Sequence, residues 1–414
     1  MEIVKLSSSQ FDNFAQNHKY RSFYQSSMYG NLIKQFGYKI EYIGIINDDK
    51  QLIGGSLIMY KSVFMKNKVG YCPRGILFNY DDSKNTRKMV SLLKKYLKKK
   101  NYMLLKMDPY IPLSVRHSSG EILNINNTAD DNINNIIKAG FKYNGKNIYF
   151  EGEKPRWEAL VLLNRDIREI FSKFDKRTRN KIRRATSLGI DIIESEHRDI
   201  NDLYKFIKNK EHKPLSYYQK LIEAFGDNIK VFYANINTET FIINARKSYE
   251  QEVERNNELS DMIQNNDLSE QEKNNYINQK MESDVLVNNY RNSMVMSTEL
   301  LRKYPSGLPV AGAIVIEYDN AVFLFIEGVD DKYKQLNPSY LLKWKLIEIY
   351  NEKRFKYLNL NGVVGNFDGK NKYAGLNEMK LGFDSIVTEY IGEFEVIINN
   401  FNYKLYKNLN KSKK

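Results

Sequence analysis

Residues 173 to 184, KFDKRTRNKIRR, put seven cations into twelve positions: Lys173, Lys176, Arg177, Arg179, Lys181, Arg183 and Arg184. Such a density suits a polyanionic partner, or else marks a solvated helix face. Other residues able to do chemistry are thinly spread. Cys72, the single cysteine, stands in YCPRG without a nearby histidine and reads as a small buried residue, not a nucleophile. His18, His117, His197 and His212 lack metal-ligand spacing, so no metal site is expected. GVVGNFDG, residues 362 to 369, has neither the following Lys-Ser/Thr nor the helix pattern of a phosphate cradle, and reads as a loop at a strand end. No Walker loop, nucleophile elbow or dinucleotide fingerprint occurs. Taken alone, Asp108 before Pro109 is a strand terminus and Lys380 is one lysine among many.

The elements that must position these residues are those of an α/β protein. IEYIGIIN (40 to 47), the polar DDKQ and LIGGSLIMY (52 to 60) read as a hairpin. TRKMVSLLKKYLKKK is an amphipathic helix with Met89, Leu92, Leu93 and Tyr96 on one face, and NYMLLKMDPY returns as a strand. The order recurs later: a strand pair turning at Asp319-Asn320, an amphipathic helix over 339–353 with Leu342, Leu346, Ile349 and Tyr350 on one face, and the strand YLNLNGV. Two copies of one unit are expected, over residues 1–150 and over 151–238 with 304–414. Residues 239–303 have a different texture, without Pro or Gly and dense in Glu, Asn, Gln and Lys. Stripes at Ile242, Ala245, Tyr249, Val253 and at Val287, Tyr290, Met294, Leu301, with a Ser269–Glu272 capping box, predict an antiparallel two-helix coiled-coil arm. The basic stretch reads as a helix anchored through Phe171, Phe174, Ile182 and Ala185 and stopped near Gly189.

The chain has 414 residues and a net charge of +14, which favours nucleic acid, a phosphorylated substrate or an anionic lipid surface without choosing among them. Neither a signal peptide nor a run of about 20 apolar residues is seen, so a soluble, cytoplasmic protein is expected.

Several ordered stretches nevertheless resemble the Fem family of peptidoglycan-bridge aminoacyltransferases from end to end. They are FYQSSMYGNLIKQFGY, YCPRGILFNYDD, LLKMDPYIP, RTRNKIRRATSLGIDI, NPSYLLKWKLIEIYNEKRFKYLNLNGVVGNFDG and LNEMKLGFDSIVTEYIGEFEVIIN. The resemblance implies two acetyltransferase-like (GNAT-type) units, the second interrupted by the arm. It implies transfer of an amino acid from aminoacyl-tRNA to an amine of a lipid-linked or UDP-linked muropeptide precursor, with aminoacyl-tRNA as co-substrate and no cofactor. The basic stretch would then bind tRNA. Lys380 corresponds to the family's lysine beside the reacting carbonyl, with Met379 replacing an aromatic neighbour, and would stabilise the oxyanion. Asp108 would accept the amine's proton or hydrogen-bond the amine. Lys34, Arg74, Tyr218 and Tyr340 match positions lining the precursor cleft. EHKPLSYYQ lacks the arginine often found before the paired aromatics, and Lys213 is its substitute. A homo- or hetero-dimer with a related transferase and peripheral contact with the inner face of the membrane are further expectations. A CoA-dependent acyltransferase and a non-catalytic tRNA- or RNA-binding protein are the alternatives; no GNAT pyrophosphate loop is found for the first.

Overall fold

The computed structural model describes residues 1–63, 66–196, 198–209, 213–265 and 267–411. Its strands assemble into two sheets, one of eight strands and one of nine. Each sheet has one parallel pair among its described pairings. In the first, Lys68–Cys72 runs beside Tyr102–Met107, and in the second Ala321–Val329 runs beside Tyr357–Val363. A hairpin cannot join parallel strands, so a helix must cross over. The predicted amphipathic helices do this. Ser83–Lys99 buries Met89, Val90, Leu93 and Leu97, while Pro338–Glu352 buries Leu341, Leu342, Leu346, Ile347 and Tyr350. The second helix also buries one lysine, Lys343. Both predicted hairpins form, and Asp319 takes φ +56° at its tight turn.

The sheets exchange strands across the expected boundary near residue 150. Pro112–Arg116 and Ile122–Ile125 leave the first unit for the second sheet. Phe394–Ile397 comes back to lie between Tyr102–Met107 and Lys142–Tyr143 of the first. The two crossing segments stay bonded where they cross, Ile391 N donating to Ile111 O at 3.0 Å. A division at residue 150 therefore describes chain order, not sheet membership.

Thr238–Gln264 and Glu270–Lys303 are two long helices, the second opened by the Ser269–Glu272 capping box. They run antiparallel, with Tyr249 facing Arg291, Glu252 facing Ser283 and Asn256 facing Asp284. The seam differs from the expected apolar stripes. Ala245 is buried, but Ile242, Tyr249, Val253, Val287, Tyr290, Met294 and Leu301 are half-buried. Glu252, Ser283, Ser293 and Ser297 occupy much of the buried line instead. The polar seam is satisfied internally, Ser283 Oγ donating to Glu252 Oε1 at 2.7 Å and Asn256 Nδ2 to Ser283 Oγ at 3.1 Å. At its root, Phe241, Ala245 and Leu300 join the core of the second sheet. Among the described residues no helix is long and apolar enough to cross a membrane.

Candidate active site

The register of the first parallel pair sets Cys72 level with Met107, so Arg74 and Asp108 emerge side by side beyond the strand ends. Arg74 has φ +52°, a left-handed conformation uncommon outside glycine. Its N–H donates to Asp108 Oδ1 at 2.8 Å, Tyr71 OH donates to the same oxygen at 2.9 Å, and Arg74 Nη1 lies 3.4 Å from Oδ2. Arg74 Nη2 reaches Glu158 Oε1 at 2.6 Å and Pro155 O at 2.7 Å. Glu158 Oε2 accepts from Tyr110 OH, Asn359 Nδ2 and Tyr390 OH at 2.7, 2.8 and 3.1 Å. The rings of Tyr110 and Tyr390, which stand where the chain crosses between sheets, lie 4.9 and 5.0 Å from the Arg74 guanidinium. Burial raises the Asp108 carboxyl to about 6, opposed by the Arg74 charge, its N–H and the Tyr71 hydroxyl.

The strand Trp157–Leu162 carries this network into the second sheet, where Glu158 pairs in register with Gly362. Lys380, on helix Ala374–Leu381, donates to Gly362 O at 2.7 Å. Beside it Lys343 forms an ion pair with Glu327 and reaches Ser339 Oγ at 3.0 Å. The Met379 sulfur lies 4.0 Å from the Lys343 ammonium. Desolvation, then the like charge of Lys343, pushes Lys380 down to about 7, with Glu327 and Glu158 pulling the other way. Asp108 thus belongs to the buried network with Arg74 and Glu158, and Lys380 is held on the next strand, at the Gly362 carbonyl opposite Glu158.

On the Asp108 side opens a cleft of about 890 Å3 whose lining includes five lysines: Lys61, Lys106, Lys154, Lys213 and Lys407. Tyr71 belongs to both cleft and network. The Lys154 ammonium sits 3.8 Å over the Tyr24 ring, and desolvation brings it down to about 8 against the pull of Asp108. Glu153 and Glu395 also line the cleft, and Lys106 is paired with Glu153 at 2.8 Å, so lysines outnumber carboxylates in its lining by five to two.

The expected site residues divide. Lys213 lines the cleft, 5.3 Å over the Tyr217 ring. Lys34 is exposed at the end of helix Ser27–Lys34, whose Ile33 lines the cleft. Arg74, only 2% exposed, is ion-paired with two carboxylates while its Nε is left without a partner, and it is absent from the cleft lining. Tyr218 is buried on the core side of helix Leu215–Phe225, and its neighbour Tyr217 lines the cleft instead. Tyr340 sits with the basic helix, accepting from Lys181 Nζ at 2.8 Å and stacking on Phe383.

The basic stretch is not one continuous helix. It breaks between Ile167–Lys173 and Lys176–Ser187, where Asp175 caps the second helix through Thr178 N. Arg179 ties the two together by donating to the carbonyls of Ser172 and Phe174. Arg177 forms an ion pair with Glu378, two residues before Lys380, and Asp175 N bonds Gly382 O at 3.0 Å. Lys173, Lys176, Arg183 and Arg184 are exposed.

Sequence reading missed Tyr71, Lys154, Glu158, Tyr217 and Lys343. Lys343 alone carried a signal, as a lysine between Leu342 and Leu346 on the apolar face of its helix. Among the described residues no group of three metal-type side chains gathers.

The FemAB family model matches residues 6–411. Aminoacyltransferase FemA of Staphylococcus epidermidis is 25% identical across 100% of both chains. Aminoacyltransferase FemB of the same species is 24% identical over 99% of this chain and 98% of its own. The crystal structure of FemX superposes with a TM-score of 0.73 at 16% identity, covering 98% of this chain and 99% of that one, which establishes a shared fold.

Proposed function

Since the chain belongs to the FemAB family, we propose that it is an aminoacyltransferase moving an amino acid from aminoacyl-tRNA to an amine of the peptidoglycan precursor's stem peptide or growing interpeptide bridge. One observation carries this reading. The buried Asp108–Arg74–Glu158 network, reached from a lysine-rich cleft through Tyr71, lies one strand pairing from Gly362, whose carbonyl accepts from Lys380, and the basic helix forms an ion pair with the helix bearing Lys380. An anionic acceptor and a polyanionic donor can therefore meet at one seam.

In this reading Lys61, Lys106, Lys154 and Lys213 hold the acceptor's phosphates or carboxylates, and the basic helix holds the donor's phosphates. The acceptor amine attacks the ester carbonyl. A C–N bond forms, the C–O bond to the ribose breaks, and the proton lost by the amine is delivered in net to the departing ribose oxygen. Lys380 supplies positive charge to the tetrahedral oxyanion, and Asp108, reached through the Tyr71 hydroxyl, takes the amine proton. An ester donor and an amine acceptor need no covalent enzyme intermediate. Each sheet, with its own parallel pair and crossover helix, fits one acetyltransferase-like unit, and the helical pair fits the arm of such a protein.

Incubation with mixed aminoacyl-tRNAs and lipid-linked or UDP-linked muropeptide, followed by mass spectrometry, tests the proposal. The expected result is an acceptor heavier by one or more amino-acid residues. Transfer from acyl-CoA instead, or RNA binding without any transfer, would overturn it.

A further inference from the structure

On the face of the basic helix turned away from its Arg177–Glu378 contact lies an open groove of about 430 Å3, lined by Phe171, Ile182, Arg183, Thr186, Ser187 and Trp344. The volume is in the range of a small-ligand pocket. Trp344 comes from the crossover helix Pro338–Glu352 and is wedged by Phe171 and Phe174, with ring centres 4.8 and 5.6 Å away. It is half-buried, so part of the indole is left to the groove. The Arg183 guanidinium lies 5.7 Å from the Phe171 ring and is itself exposed. Arg184, beside it, is exposed as well. A held aromatic surface, a guanidinium over an aromatic ring and hydroxyls at the rim, set within a row of cations, form a stacking platform for a base attached to a phosphate backbone. Duplex RNA keeps its bases stacked inside, so an occupant must be unpaired.

We propose that this groove stacks one unpaired base of the donor RNA, close to its amino-acid-bearing end. The proposal rests on the reading that the basic helix holds the donor tRNA. From Arg177, which contacts the Lys380 helix, to Arg183 is six residues, or about 9 Å along the axis. The groove and the contact with the Lys380 helix therefore share one short helix, which is why the occupant is placed towards the amino-acid-bearing end.

The chain's two tryptophans make the test direct, because Trp157 is 5% exposed and Trp344 lines the groove. An RNA minihelix with an unpaired 3′ tail and the same minihelix with a blunt end are titrated at low salt while tryptophan fluorescence is followed. The tailed RNA should quench emission, and the blunt RNA should bind more weakly with little quenching. Trp344→Leu should abolish the quench and weaken tailed binding roughly 5- to 100-fold, bringing it level with blunt binding. Phe171→Leu, which leaves the indole in place, should weaken tailed binding more than blunt. Equal binding of both RNAs without quenching overturns the groove and leaves the basic helix as a tRNA site. Absence of binding by either RNA overturns both.

Discussion

A lysine that is desolvated and faced by a second lysine gives up its proton near neutrality, and Lys380 is in that position. Its folded value is depressed, so the cation is present below about 7 and lost as pH rises through it. If that cation stabilises the oxyanion, transfer should fall along an alkaline limb beginning near 7, measurable as the rate–pH profile. Lys380→Ala should lower transfer about 100- to 1000-fold at pH 6.5 with folding retained; a rate within threefold of the parent would remove Lys380 from the mechanism. Lys343 and Glu327 are best removed together, as Met and Gln, because either alone leaves an unpaired charge. Lys343 outweighs Glu327 at Lys380, so the double variant should move the limb to higher pH, with Glu158 still facing the ammonium. An unmoved limb would mean that the pair serves packing alone. At this scale little was legible. Lys380 and Asp108 stood out only through the family resemblance. The burial of Arg74 was hidden because its partner Glu158 is 84 residues away in sequence.

Elements were read more fully, because amphipathic periodicity and capping are local. Both crossover helices and the capping box of the arm follow directly from residue spacing. The break at Asp175 did not, since only the fold reveals that Arg179 spans it. That changes which cations are worth testing. Replacing the exposed Lys173, Lys176, Arg183 and Arg184 by Gln should weaken tRNA binding and flatten its dependence on salt, as fewer counterions are released, while muropeptide affinity stays constant. Unchanged tRNA affinity at low salt would reduce the stretch to a solvated face. The arm makes a separate prediction. Its root is bound into the core through Phe241, Ala245 and Leu300, whereas beyond Tyr249 the helices bury mainly small and polar groups. Replacing residues 250–289 with a short Gly-Ser linker should therefore leave a folded protein that transfers from an acceptor-stem minihelix at near-normal rates. Efficiency with full-length tRNA, or binding of a partner transferase, should drop. Equal loss with the minihelix and full-length tRNA would put the arm in the architecture of the active site.

Across the whole molecule, the α/β class and the repeated unit could be inferred from the order of strand and helix signals, but the strand exchange could not. Pairing of Phe394–Ile397 with Tyr102–Met107 joins segments nearly three hundred residues apart, and no local pattern records it. Residues 1–150 alone leave an unfilled position between Tyr102–Met107 and Lys142–Tyr143. Expressed by itself, that fragment should lack a cooperative thermal transition, and adding a peptide of residues 386–399 should restore one at least in part. A sharp transition in the isolated fragment would show that the borrowed strand is dispensable. The same vacancy exists during synthesis. The ribosome adds some 287 residues between Met107 and Phe394, which at the usual elongation rates takes roughly 15–60 s. For that interval the nascent chain carries an open β edge, the kind of surface that recruits strands from neighbouring chains. Yield of this protein should therefore depend on how well the edge is shielded on the polysome, and weaker induction with ample chaperone, which keeps nascent chains apart, should recover native chain that strong induction loses to aggregates.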